Sequence, residues 1–236
     1  MNIKKLLTYA LNAENQLKNI DEVPNGLECN CICPGCKEPL IAKNEGKIRE
    51  HHFAHTSDSE CVSGYQTMIH LLAKDIIEEM KIFPMALNGK FLSACEVYKE
   101  VSLVKELGII PDILGFTPIT DGPNIVGKIP IIVEIYVTHK VDEEKANILK
   151  KSGIPSVEID LSKTEVNTKN ELIQEIYNPK NWKIINGNIG RQFLPQINLS
   201  LPTYYGAYPR RTSYSSSRSN YKRNNSGYSH YSKKRR

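Results

Sequence analysis

The chain has 236 residues, enough to bury one full core and carry smaller modules beside it. It contains no window of about 18 apolar residues, which excludes a membrane-spanning helix, and its first residues hold two lysines without the apolar run of a secretory leader, so a cytoplasmic protein is expected. The net charge of +5 is unevenly placed: residues 1–202 hold 22 basic and 26 acidic side chains, whereas Thr203 to Arg236 hold nine basic and no acidic ones, so attraction of nucleic acid by bulk charge is excluded for the body and left to the tail.

Residues 1–28 alternate weakly around the turn Pro24-Asn25-Gly26 and predict short strands leading into a cysteine-rich stretch. Residues 29–61 then hold five of the six cysteines and three of the six histidines. From Ser63 to Met80 the apolar residues Met68, Ile69, Leu71, Leu72, Ile76 and Ile77 recur at helical spacing. Leu92 to Val101 and Gly108 to Phe116 predict strands, and Ile131 to Val137 is a nearly continuous apolar run, as expected of a strand covered on both faces. Asp142 can cap a helix running to about Lys151, with Glu143 and Glu144 in its first turn and Gly153 and Pro155 to stop it. Ser156 to Leu161 predicts a further strand and Lys169 to Tyr177 a further helix.

The helix–strand–strand–strand–helix–strand order predicts an α/β sandwich around a mixed sheet, with a right-handed crossover from the strand ending near Val137 to the one at Val157. The expected divisions are a β-rich module at 1–62, the α/β domain at 63–182, a linker at 183–202 and a disordered tail at 203–236, too poor in aliphatic residues to form a core.

Cys33-Pro34-Gly35-Cys36 has the spacing of a zinc knuckle, in which a tight turn aims two thiolates at one ion. Eighteen residues separate Cys36 from His55, and Cys61 follows. Two knuckle thiolates, one imidazole and Cys61 would complete a closed, structural tetrahedral site. His52 and His55 are three apart, so a helical turn would put both on one side, and either can be the imidazole ligand. Cys29 and Cys31 are read as non-ligands and Cys95, in an apolar strand, as core.

Asp112 begins one apolar run and Glu134 sits inside another, where an unpartnered carboxylate is costly. Two neighbouring strands can set the pair side by side at a sheet edge, as a divalent cation beside a phosphodiester requires. Gln66, His70 and Lys74 are spaced by four and form one stripe on the first helix.

Cys33-x-x-Cys36, His52-Phe53-Ala54-His55, Cys61, Thr67-x-x-His70-x-x-x-Lys74, Pro111-Asp112, Glu134-x-x-x-Thr138-His139, Asp142-Glu143-Glu144-Lys145 and Glu158-Ile159-Asp160-Leu161-Ser162 together resemble the competence protein CoiA-like family, from about residue 25 to 165. The resemblance implies a zinc-binding N-terminal module joined to a restriction-endonuclease-like αβββαβ domain of the PD-(D/E)xK kind, acting on DNA. Carried over, Asp112 and Glu134 are the carboxylates that hold catalytic Mg²⁺ or Mn²⁺, and His139 activates water or contacts phosphate. Two positions depart from the family pattern: Gln66 stands where Glu is common, and Tyr136 where Lys or Gln is usual. Tyr136 can donate a hydrogen bond but carries no positive charge at neutral pH. A replacement lysine can come from Lys74, ranked first because it shares a helix face with His70, from Lys140, or from Lys145, which also suits a solvated helix face.

The tail interleaves seven tyrosines and eight serines with its nine cations. Cations neutralise phosphates and tyrosine rings stack on exposed bases, which predicts sequence-tolerant binding of single-stranded DNA or RNA. A purely solubilising tail is the plain alternative. The expected function is metal-dependent cleavage of DNA in processing or recombination, with a catalytically impaired DNA-binding accessory protein of the same fold as its rival.

Overall fold

The computed structural model, which describes residues 5–57, 61, 63–87, 90–101 and 107–187, begins with two short antiparallel pairs. Strands β1 (Tyr9–Leu11) and β2 (Leu17–Asn19) form one, β3 (Leu40–Lys43) and β4 (His52–His55) the other. Ala10, Ile20, Leu40, Ala42 and Phe53 pack with Cys29, Cys31 and Cys33 in a core of their own. Cys29 and Cys31 are buried there, with their thiols donating to the carbonyls of Leu40 and Cys29. Desolvation, with the neighbouring Cys29 adding to it, pushes the Cys31 thiol up to about 12, as suits a neutral packing residue.

Helix α1 (Ser63–Met80) buries Met68, Ile69, Leu72, Ile76 and Ile77 of the predicted stripe against Ile113, Ile131, Val133, Ile135, Val157 and Ile159 of the main sheet, while Leu71 is only partly buried and outside that core. A hairpin of β5 (Ile82–Leu87) and β6 (Lys90–Ser93) follows. Its Phe83 lies against Gly115, where a Cβ would stand 2.3 Å from the ring, so only glycine lets the hairpin seat on the sheet. Next come β7 (Glu96–Lys99), β8 (Ile113–Asp121), β9 (Asn124–Tyr136), α2 (Glu143–Ser152), β10 (Ser156–Asp160), α3 (Lys169–Ile176) and β11 (Trp182–Asn186).

The sheet order is β11-β10-β9-β8-β7, antiparallel throughout except for the parallel β9–β10 pair that α2 connects. The expected αβββαβ order is present as α1, β7, β8, β9, α2, β10. Several details differ from expectation. The single strand foreseen at 92–101 is two, β6 and β7, broken at Ala94 and Cys95. Cys95 is half-buried at that bend, its thiol donating to the Phe116 carbonyl at 3.2 Å, rather than lying inside a strand. Strand β5, whose Pro84 and short apolar run hid it, was not foreseen. β9 starts seven residues earlier than the apolar run because its more exposed half, broken by Gly127, Lys128 and Pro130, pairs with β8 through the turn at Gly122. The sheet also continues past residue 182, where a linker was expected, through β11. The tail lies outside the described residues, and no helix among those described is long and apolar enough to cross a membrane.

Candidate functional site

The knuckle is made by a tight turn in which Lys37 N–H donates to the Cys33 carbonyl and Cys33 N–H to that of Glu38. Cys36 Sγ lies 3.2 Å from His55 Nε2, and Cys33 Sγ lies 3.7 Å from Cys61 Sγ. That sulfur pair matches the ~3.8 Å edge of a tetrahedron with metal–sulfur distances of about 2.3 Å. Cys33, Cys36, His55 and Cys61 bring one ligand atom each to within 4.8 Å of one another, an arrangement that can hold a metal ion. His52 is not among them. The two histidines lie on strand β4, not on a helical turn, and His52 Nδ1 donates to the Glu50 carbonyl at 2.8 Å instead.

The start of α1 abuts the cluster. A Cβ on Gly35 would meet Ser63 Oγ and Gly64 N at 2.6 and 2.8 Å, and one on Gly64 would meet Cys33 Sγ at 2.9 Å. The Cys61 thiol is pushed up by burial, but hydrogen bonds from Ser63, Cys36, Cys33 and the Gly64 N–H outweigh this and bring it down to about 7. Burial dominates at Cys33, pushing it up to about 12, so deprotonating that thiol requires a strong electrophile.

The second site is a cavity of about 680 Å³ on the central strands of the sheet, where α1, β9 and the segment before α2 meet, with Asp112, Glu134 and Glu158 in its wall. Sheet register sets a row of carboxylates there. Glu134 pairs with Glu158 in the parallel β9–β10 ladder, and one step beyond the Ile113–Val133 pair brings Asp112 opposite Glu134. Glu100, whose N–H donates to the Asp112 carbonyl at 3.1 Å, extends the row.

Each acid has a cationic or imidazole partner. Asp112 Oδ1 lies 3.1 Å from His70 Nε2 and 3.8 Å from Lys74 Nζ, and its Oδ2 accepts from Ile135 N–H at 2.8 Å. Burial pushes Asp112 up, but the His70 hydrogen bond and charge, the Ile135 N–H and Lys74 together hold it below the ordinary carboxylate range. Glu134 is 4 % exposed; its Oε2 accepts from Lys145 Nζ at 2.8 Å, and its Oε1 is buried with no hydrogen-bond partner among the described residues. Desolvation wins there over the Lys145 contact, and the Glu134 carboxyl is pushed up to about 7. Lys74, 2 % exposed, bonds Glu100 at 2.5 Å. Glu158 bonds Val141 N–H and, at 3.0 Å, Lys183 Nζ.

Of the foreseen residues, Asp112, Glu134, Gln66, His70 and His139 line the cavity, while Tyr136 and Lys74 do not. The ranking of lysines is revised: Lys74 is held at Glu100, whereas Lys145, anchored through its own N–H on the cap Asp142 and through Nζ on the Ile110 carbonyl at 3.0 Å, reaches Glu134. Its solvated-face reading therefore does not hold. Glu158 and Glu100 were not singled out as site residues. The repeated tripeptide Val133-Glu134-Ile135 and Val157-Glu158-Ile159 was the available signal, a carboxylate inside each of two buried strands.

Residues 14–64 match the family model described as "Competence protein CoiA, N-terminal domain". This segment holds all four cluster residues and ends at the second residue of α1, so the similarity covers the N-terminal module and stops there. No curated protein matches the chain, and no solved structure does.

Proposed function

We propose that this chain is a metal-dependent nuclease that hydrolyses DNA phosphodiester bonds in a competence-associated process in the cytoplasm, with a structural zinc ion at Cys33, Cys36, His55 and Cys61. The observation that carries the catalytic reading is the juxtaposition of Asp112 and Glu134 at the cavity, with one buried Glu134 oxygen that has no hydrogen-bond partner among the described residues. A buried, unpartnered carboxylate oxygen aligned with a second carboxylate fits a divalent cation, since it is otherwise a pure desolvation loss.

Mg²⁺ or Mn²⁺ held by Asp112 and Glu134 would polarise the scissile phosphate and lower the pKa of an attacking water. The remaining work falls to the chain itself. His70 and Ile135 N–H fix the two oxygens of Asp112, so the carboxylate stays ionised and oriented. Lys145 supplies the positive charge that Tyr136 lacks and stands beside the reacting centre, where it can stabilise charge developing on the phosphate. His139 and Lys140 are exposed at the cavity wall and available to phosphate oxygens. Zinc fits the first site because a Cys₃His donor set with one deeply buried thiol leaves no open position for chemistry.

The test is incubation of the full chain with single- and double-stranded DNA and RNA, with Mg²⁺ or Mn²⁺, beside Glu134→Gln. Cleavage of DNA that survives the substitution overturns the site. Lys145→Met is expected to lower cleavage ~10²-fold, the loss of one charge-stabilising donor; unchanged rates would remove Lys145 from the mechanism. The rival, a DNA-binding accessory protein without cleavage, draws on the neutral Gln66 and Tyr136 and predicts binding with no turnover.

The tail is proposed to hold nucleic acid through its nine cations and seven tyrosines. Deleting 203–236 is expected to weaken DNA binding at low salt and make the salt slope shallower by several units if most of those cations meet phosphate. An identical slope in the truncated protein removes the tail from binding.

A further inference from the structure

Glu158 is 3 % exposed and lies beside Glu134 in the register of the parallel ladder, yet the two acids are used differently. Among the described residues Glu134 leaves an oxygen without a hydrogen-bond partner, as a cation ligand would, whereas both oxygens of Glu158 are engaged. Oε1 accepts from Lys183 of β11, and Oε2 accepts from the backbone N–H of Val141. That second bond reaches out of the strand to the connection between β9 and α2.

The connection runs from 137 to 142 and carries the chemistry of the cavity wall. Thr138, His139 and Lys140 precede Val141, and Asp142, which follows it, caps α2 by accepting the Lys145 N–H at 2.7 Å. Lys145 in turn meets Glu134. Thr138, His139 and Lys140 are solvent-exposed, so packing does little to hold them. One buried carboxylate on the neighbouring strand therefore ties the segment to the sheet at Val141, between His139 and Lys145. Lys183 offsets its charge, so that two carboxylates can stand side by side in the ladder.

From this we infer that Glu158 is a positioning residue: its carboxylate holds the Val141 N–H and thereby sets His139 and the start of α2, with Lys145, against the Asp112–Glu134 pair. The kinetic part of the inference rests on the nuclease reading; the structural part does not. The role needs an acceptor oxygen more than a negative charge, so glutamine should replace glutamate and alanine should not.

The experiment compares Glu158→Gln and Glu158→Ala in the full chain by amide hydrogen exchange and cleavage, with Mn²⁺ binding measured alongside. In Glu158→Ala, exchange at 138–142 is expected to rise at least tenfold while 131–136 stays protected, and kcat to fall about 10- to 100-fold with KM within twofold, the scale of losing an orienting outer partner. Glu158→Gln is expected to stay within threefold of the parent in exchange and kcat, and both variants to bind Mn²⁺ as the parent does. Unchanged exchange in Glu158→Ala overturns the inference, as does lost Mn²⁺ binding, which would make Glu158 a ligand. Glu158→Gln falling as far as alanine also overturns it, and this variant alone decides if the alanine protein does not fold. If the parent cleaves no nucleic acid, the nuclease reading fails and the exchange arm still judges the tether.

Discussion

Glu134→Gln is expected to abolish cleavage, by ~10³-fold, while making the protein free of Mg²⁺ and Mn²⁺ more stable above neutral pH. The two effects have one cause. Burial pushes the Glu134 carboxyl up to about 7 despite the Lys145 contact, so the folded protein binds this proton more tightly than the unfolded chain does. The unfolded chain therefore ionises first as pH rises. Stability drops between about pH 4.5 and 7 and stays low above that, by at most ~3 kcal/mol for a shift of this size. Glutamine removes the ionisation and with it the pH dependence, leaving the variant ~1–3 kcal/mol ahead at pH 8 once the lost Lys145 pairing is counted. Urea unfolding of the zinc-loaded protein from pH 5 to pH 8, without added Mg²⁺ or Mn²⁺, reads this directly. Mg²⁺ or Mn²⁺ should then raise the melting temperature of the parent and not of the variant, because the cation binds the folded state only. A parent whose stability is flat across this range, or a variant that still responds to Mn²⁺, would show that the buried oxygen is not held ready for a cation.

This site could be read from the sequence only in part, and the reason lies in what register adds. Asp112 and Glu134 stood out because each adjoins an apolar run, a local feature. Their partners are set by long-range pairing. Glu158 stands 24 residues from Glu134 in the chain but beside it in the ladder, and Glu100 joins the row through the antiparallel β7–β8 pair. Nothing local distinguishes Lys145 from a helix lysine facing water; only the placement of α2 after the parallel crossover turns it to Glu134. Lys74 shows the same limit from the other side, since it lies 3.8 Å from Asp112 but bonds elsewhere. Helical spacing correctly put it on a face with His70, but Glu100, invisible as a neighbour, captures its ammonium. The Cys₃His cluster was legible in spacing except for its imidazole, where strand rather than helix geometry separates His52 from His55.

Loss of the zinc ligands is the second large effect expected, and it should extend beyond the N-terminal module. The module's separate core is small, and three of its eight members are cysteines, so apolar burial there supplies little stability on its own. Apparent zinc binding of about 10–16 kcal/mol in small Cys/His domains is folding energy for such a unit. Metal analysis should return one zinc per chain. Cys33→Ser and His55→Ala are expected to lose it, with the module unfolding at a cost of ~5 kcal/mol or more, whereas Cys31→Ala and His52→Ala should keep full stoichiometry. Because a Cβ on Gly64 would touch Cys33 Sγ, the first turn of α1 is seated directly on the cluster. That helix then carries Gln66 into the cavity wall and His70 onto Asp112. Chelation should therefore depress cleavage as well as stability, and excess Mg²⁺ should not restore it, whereas returning zinc should. A wild-type protein that is zinc-free, stable and fully active would break the link between the two sites at its first member.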